Sequence, residues 1–295
     1  HDAELVKQLY SAVAEACGCE YERVVVPGDV SGPGSPDELR SLDADVVVMC
    51  APTYVGLCAA LEKEDYCGPS MHLDLLPSGV PDDGFGEEHP RYRAVVVVPA
   101  ASTAQRMEHL CGGRVVYNDF RSLSGYHCWR IHLSASGAAA PFFAHACEAG
   151  SHMRALEEVA AGRADCAAID SRLLAWAQEH RPELAATVRA LPDGQLGPHP
   201  YPVCVSCRRT PLAEAVSSAL SRIHEPSKDG TLSGPAAALR ALRLLRFAAP
   251  NRADLELLRQ QLAAAAPFKL AEREERQARE PRPEGVGTAA GKAAT

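Results

Sequence analysis

Short β-branched and apolar runs alternate along this chain with stretches of helical spacing, and that alternation restricts it to an α/β architecture. The clearest extended runs are Asp45 to Cys50, Arg93 to Pro99, Arg114 to Tyr117 and Ala164 to Ile169, with Arg23 to Val26 and Val203 to Ser206 as shorter ones. Their branched side chains are stiff at χ1 and suit a pleated surface. Helices are predicted over Glu4 to Cys17, Gly125 to Leu133, Ser151 to Ala161, Ser171 to His180, Pro211 to His224, Pro235 to Leu245 and Arg252 to Ala266. No strand is predicted ahead of the Glu4 helix. The Asp45 strand ends in a predicted turn, Ala51-Pro52-Thr53-Tyr54. The segment from Tyr66 to Pro90 is rich in Pro, Gly and acid and reads as a surface connection with little core; Pro192 to Pro202 reads as a crossing segment. From residue 271 onward the apolar content is too low to fold, which predicts a disordered tail. No internal repeat is visible.

A length of 295 residues at 46% hydrophobic content supports a large core and two lobes. A net charge of −8 and a pI near 5.8, with no Lys/Arg cluster on any predicted helix, argue against nucleic acid or an anionic membrane surface as partner. Apolar runs such as Ala94 to Ala101 fall short of the roughly 20 residues that span a bilayer. The chain starts at His1 with neither an initiator Met nor a leader, so a targeting segment is absent or lies outside the sequence. The 11 cysteines lie mostly in apolar surroundings, where free thiols pack as small hydrophobes. Cys17-Gly-Cys19 and Cys204-Val-Ser-Cys207, with His199 near the second pair, also have the form of zinc half-sites. Residues three apart on a strand face opposite sides, however, and a metal knuckle needs a turn. So many reduced thiols suit a reducing compartment.

The strand Arg114 to Tyr117 breaks into Asn118-Asp119-Phe120-Arg121-Ser122-Leu123-Ser124-Gly125-Tyr126 just ahead of a predicted helix. The first turn of a helix has unpaired N–H groups and about half a positive charge, so it attracts oxyanions. Ser122 and Ser124 add hydroxyl donors, and Gly125 permits close approach to the backbone. The same residues also suit an ordinary N-cap. Two further positions carry paired readings. Ser151 caps the next helix and leaves His152 in its first turn, where the positive helix end favours a neutral imidazole donor; a surface histidine is the alternative. Asp170 is either the N-cap of the helix beginning at Ser171 or a ligand contact. A carboxylate beside an oxyanion needs a shared proton or a ligand cation, which would favour a protonated oxyanion or an amino-phosphonate.

The order Tyr-Asn-Asp-x-x-Ser-x-Ser-Gly-Tyr, Phe142-Phe143, Gly150-Ser151-His152, Val159 to Asp165, Ala168-Ile169-Asp170 and Gly197 to Pro202 resembles the phosphate/phosphite/phosphonate substrate-binding proteins of ABC importers. The resemblance runs from about Asp45 to Leu258. It implies a type 2 periplasmic-binding-protein fold: residues 1–90 plus 195–270 as one lobe, 91–194 as the other, and 271–295 as the tail. It further implies anion contacts from Ser122, the Leu123 backbone N–H, Ser124 and His152, phenol donors from Tyr54 and Tyr92, and Asp170 completing the pocket. The implied function is binding of a small phosphorus oxyanion for uptake or sensing by a monomer, without catalysis, cofactor or metal, and with an ABC permease as partner. The alternative is an enzyme of cofactor biosynthesis on the same scaffold, with His152 and Asp170 as acid and base; no nucleophile with a matched base and no nucleotide loop supports it. Leu123 replaces a hydroxyl residue usual in the family, which points to a larger or less charged ligand than phosphate. The family implies export, whereas the cysteines and the absent leader point to a reducing compartment.

Overall fold

The computed structural model describes residues 3–20, 31–63, 72–83, 89–208, 210–226 and 233–275. In chain order the first elements are α1 (Ala3–Ala16), α2 (Pro36–Ser41), β1 (Val46–Met49), α3 (Ala51–Leu61), β2 (Asp74–Leu76), β3 (Ser78–Pro81) and β4 (Arg91–Pro99). There follow β5 (Arg114–Tyr117), a π-helical turn at Leu123–His127, α4 (Cys128–Ala135), β6 (Phe143–Glu148), α5 (His152–Ala160), β7 (Cys166–Asp170), α6 (Ser171–His180) and α7 (Pro182–Ala185). The chain continues through β8 (Val188–Pro200), β9 (Val203–Ser206), α8 (Pro211–Arg222), α9 (Gly234–Ala241), β10 (Leu244–Ala248), α10 (Arg252–Ala265) and β11 (Ala271–Glu275).

The strands form a six-stranded sheet of order β11-β6-β5-β7-β4-β8, a three-stranded sheet of order β1-β9-β2 and the pair β10-β3. Strands β5, β6 and β7 pair in parallel and are linked by α4 and α5, whereas β4 runs antiparallel to β7 and β8. Period-two alternation splits each central strand between two helical layers. Ala94, Val96 and Val98 join Val115, Tyr117 and Ala168 beneath Trp129 and Leu133 of α4. Val97, Val116, Ala167 and Ile169 face the other way, onto Leu156 and Val159 of α5 and Leu174 of α6. The chain passes between the large and the three-stranded sheets at Tyr201 and Pro202, opposite the start of β4: Arg91 pairs with Pro200, and Tyr92 with His199. The Tyr92 and Tyr201 rings meet edge to face there at 5.3 Å.

Several expectations are corrected. Ala51 to Tyr54 is the first turn of α3, which Pro52 suits because it has no N–H to leave unpaired. Within Tyr66 to Pro90, β2 and β3 carry core: Leu76, Ser78 and Val80 are buried. Pro81 is tolerated there because β3 has only one partner, β10. The helix predicted to Leu245 stops at Ala241, and Leu244–Ala248 pairs with β3 instead. The segment Pro192 to Pro202, expected as a crossing, lies mostly in β8, which stays on the large sheet to Pro200. The tail expected from 271 begins as β11, a charged edge strand whose backbone pairs with β6 while its first residue, Ala271, is buried. Strand β6 was hidden by its mixed composition. The strand expected at Arg23 to Val26 lies outside the described residues.

Candidate functional site

The serine motif folds as expected at its start. Ser122 is the N-cap of the π-helical turn, and its Oγ accepts the Gly125 N–H at 3.2 Å. Its carbonyl accepts from Tyr126 and His127. Among the described residues no carbonyl or side chain accepts from the Leu123 or Ser124 N–H, the usual orphans of a helix start. Gly125 has a reason other than ligand approach: a Cβ there would lie 1.7 Å from Asn118 Oδ1. The glycine makes room for a side chain from the end of β5.

Ser151 caps α5 by accepting the Arg154 N–H, which places His152 at the first position of that helix. Its Nε2 lies 3.0 Å from Ser124 Oγ, and both groups are buried. Two helix starts, 28 residues apart in sequence, thus converge. Tyr92 joins them from β4. Burial pushes its phenol well above the usual range, reinforced by the nearby Cys50 and Asp170, and the Ser124 hydroxyl acts in the opposite direction, which puts Ser124 beside the phenol. Asp170 Oδ1 caps α6, accepting from the Arg172 N–H at 2.8 Å and the Leu173 N–H at 3.4 Å. The cap and the position near Tyr92 coexist. Tyr201, which was not singled out from the sequence, belongs to the same group; burial pushes its phenol up to about 12, with Arg172 opposing and Asp170 adding.

Tyr54 stands apart. Its hydroxyl donates to the Leu73 carbonyl at 3.5 Å and lies against Cys58, and among the described residues no hydrogen bond joins it to Ser122, Ser124, His152 or Asp170. The Leu123 side chain packs into an apolar cluster with Val47 and Met49 of β1 and Val203 and Val205 of β9. Among the described residues no three His, Cys, Asp or Glu side chains converge as metal ligands. Cys204 and Cys207 lie in different apolar clusters, on opposite sides of the small sheet, and burial pushes their thiols up to about 12 and about 11. His199, on β8 opposite Tyr92, is buried, its pKa lowered to about 4 by burial and then by His132.

Residues 75–255 match the family of periplasmic substrate-binding proteins of phosphonate ABC transporters. The chain belongs to this family. Its fold is the periplasmic binding protein fold. The chain superimposes on a binding-protein component of an ABC phosphonate transporter from Pseudomonas aeruginosa with a TM-score of 0.71, at 14% identity over 89% of this chain and 81% of the other. PhnD1 from Prochlorococcus marinus, solved with methylphosphonate, gives a TM-score of 0.69 at 12% identity over 90% and 94%. A Xanthomonas citri protein solved with ATP gives 0.66 at 17% identity over 90% and 95%. No curated protein matches the sequence significantly. At these identities the superpositions speak to fold; the family match covers the serine turn, His152 and Asp170 alike.

Proposed function

We propose that this protein binds a small phosphorus oxyanion of the phosphonate class at the junction of the Leu123–His127 turn and α5, without transforming it, and delivers it to an ABC permease in the periplasm. The observation that carries the reading is the 3.0 Å approach of Ser124 Oγ to His152 Nε2, which aims two positive helix starts at one buried point in a member of a phosphonate-binding family. Leu123 and Ser124 supply N–H donors, Ser122 and Ser124 hydroxyls, His152 an imidazole, and Tyr92 a phenol. A tetrahedral oxyanion accepts several such bonds at once, and bonds to a charged acceptor are the strong ones. Asp170 then favours a ligand that shares a proton at this end.

Calorimetric titration with phosphate, phosphite, methylphosphonate and aminoethylphosphonate tests the reading. At least one of the phosphonates binds without being consumed. Ser124→Ala weakens that binding by about 1 to 3 kcal/mol, the range for a hydrogen bond to a charged group. An unchanged dissociation constant in the variant removes Ser124 from the site, and turnover of any of the four ligands removes the non-catalytic reading.

A further inference from the structure

The strand β11 touches both helix starts that meet at the Ser124–His152 contact. Its backbone pairs in parallel with β6, Glu274 opposite Ala146 and Glu275 opposite Cys147, and β6 runs on through Ala149 and Gly150 to the Ser151 cap and His152. A contact of 3.1 Å between His145 Nε2 and Glu275 Oε1 adds a side-chain tie. On the other side, the Tyr126 hydroxyl donates to Glu274 Oε2 at 3.2 Å and the Tyr117 hydroxyl to the Glu275 carbonyl at 3.5 Å. Tyr117 closes β5 and Tyr126 lies inside the π-helical turn, so these two contacts bracket the segment bearing Ser122, Leu123 and Ser124. The two rings pack at 4.9 Å, and Tyr126 is buried.

A turn of this kind needs support from its surroundings. Its defining bond, from the His127 N–H to the Ser122 carbonyl, measures 3.0 Å, and such π-helical turns are rare and occur mostly singly, at functional sites. The Leu123 and Ser124 N–H groups serve an anion only when held in line with it, because a hydrogen bond weakens steeply as its angle closes. A buried tyrosine hydroxyl finds a partner as a rule, and here the partner comes from a strand 148 residues further along the chain. We infer that β11 is a positioning strand for the anion site: Glu274, acting through the Tyr126 hydroxyl, sets where the Leu123 and Ser124 N–H groups and Ser124 Oγ stand relative to His152. The inference rests on the phosphonate reading of that junction.

Wild type, Glu274→Ala, Glu274→Gln, Tyr126→Phe and the Tyr126→Phe/Glu274→Ala double variant are titrated with methylphosphonate and aminoethylphosphonate, and the Leu123 and Ser124 amide resonances are recorded on each protein before ligand is added. For whichever ligand binds wild type, Glu274→Ala and Tyr126→Phe each weaken binding about two- to tenfold, the range of one ordinary hydrogen bond. The double variant is no weaker than either single one, because both remove the same bond. Glu274→Gln, whose amide oxygen still accepts the phenol proton, keeps most of the affinity, a rescue that general loss of stability does not produce. Glu274→Ala also shifts the Leu123 and Ser124 amide resonances, and it adds no shift in the Tyr126→Phe background. Additive losses in the double variant, or wild-type affinity and unshifted amides in Glu274→Ala, overturn the positioning and leave the phosphonate reading standing. A wild type that binds neither ligand removes the phosphonate reading instead, and the amide shifts then decide the positioning by themselves.

Discussion

The cap at Ser122 and the first-turn places of Ser124 and His152 were legible because each obeys a local rule that survives the tertiary fold. Gly125 has a second constraint in Asn118, a side chain brought over it by the end of β5, and local sequence does not report such a neighbour. His199 gives this scale its pH dependence. Its folded pKa of about 4 lies below the ordinary value of 6.5, so the unfolded chain binds its proton first. The neutral state therefore stabilises the protein fully above about pH 6.5, and the contribution fades as pH falls toward 4. His199, and likewise His127, whose pKa burial lowers to about 3, each contribute a loss that approaches about 1.4 kcal/mol per pH unit near pH 5, read as a shift in the urea midpoint. His199→Gln flattens this part of the profile. A variant with the wild-type slope contradicts the assignment.

At the level of elements, the predicted helices and strands other than Arg23 to Val26, which lies outside the described residues, were read within a few residues, whereas α2, α3, α7, β2, β3, β6, β8, β10 and β11 were not. The missed strands are short, of mixed composition, or at sheet edges, and they exist because a partner strand supplies the hydrogen bonds that their own residues do not favour. The cysteines show the complementary case. Cys128, Cys166, Cys204 and Cys207 are buried free thiols that fill apolar layers, and burial raises the pKa of each, so they resist oxidation and the cysteine count does not discriminate between compartments. One inter-element contact stands out in energy. Arg130 of α4 donates to the Ala265, Ala266 and Phe268 carbonyls at the end of α10, at 2.9, 2.6 and 3.1 Å. It neutralises the negative helix end and ties the helix under the serine turn to the chain returning toward β11. Arg130→Met should cost about 1.5 to 3 kcal/mol of stability in denaturant titration. A change below about 0.5 kcal/mol shows that the contact holds nothing.

Across the whole molecule, the two sheets meet where β4 begins and β8 ends, and the serine turn sits on that seam. The bidentate pair of Arg91 with Asp254 at 2.6 and 2.7 Å fastens the start of β4 to α10, and the Leu123 side chain reaches into the cluster of β1 and β9. The residue that departs from the family pattern thus ties the serine turn to the three-stranded sheet through apolar contact. The fold was readable from motif order; the long pairing of β8 with β4 was not, because it depends on strand register. The most direct test of the account is a crystal structure of the methylphosphonate complex. The account predicts phosphonate oxygens about 2.7 to 3.1 Å from the Leu123 N–H, Ser124 Oγ and His152 Nε2. A phosphonate bound elsewhere, with the Ser124–His152 contact intact and unengaged, contradicts it.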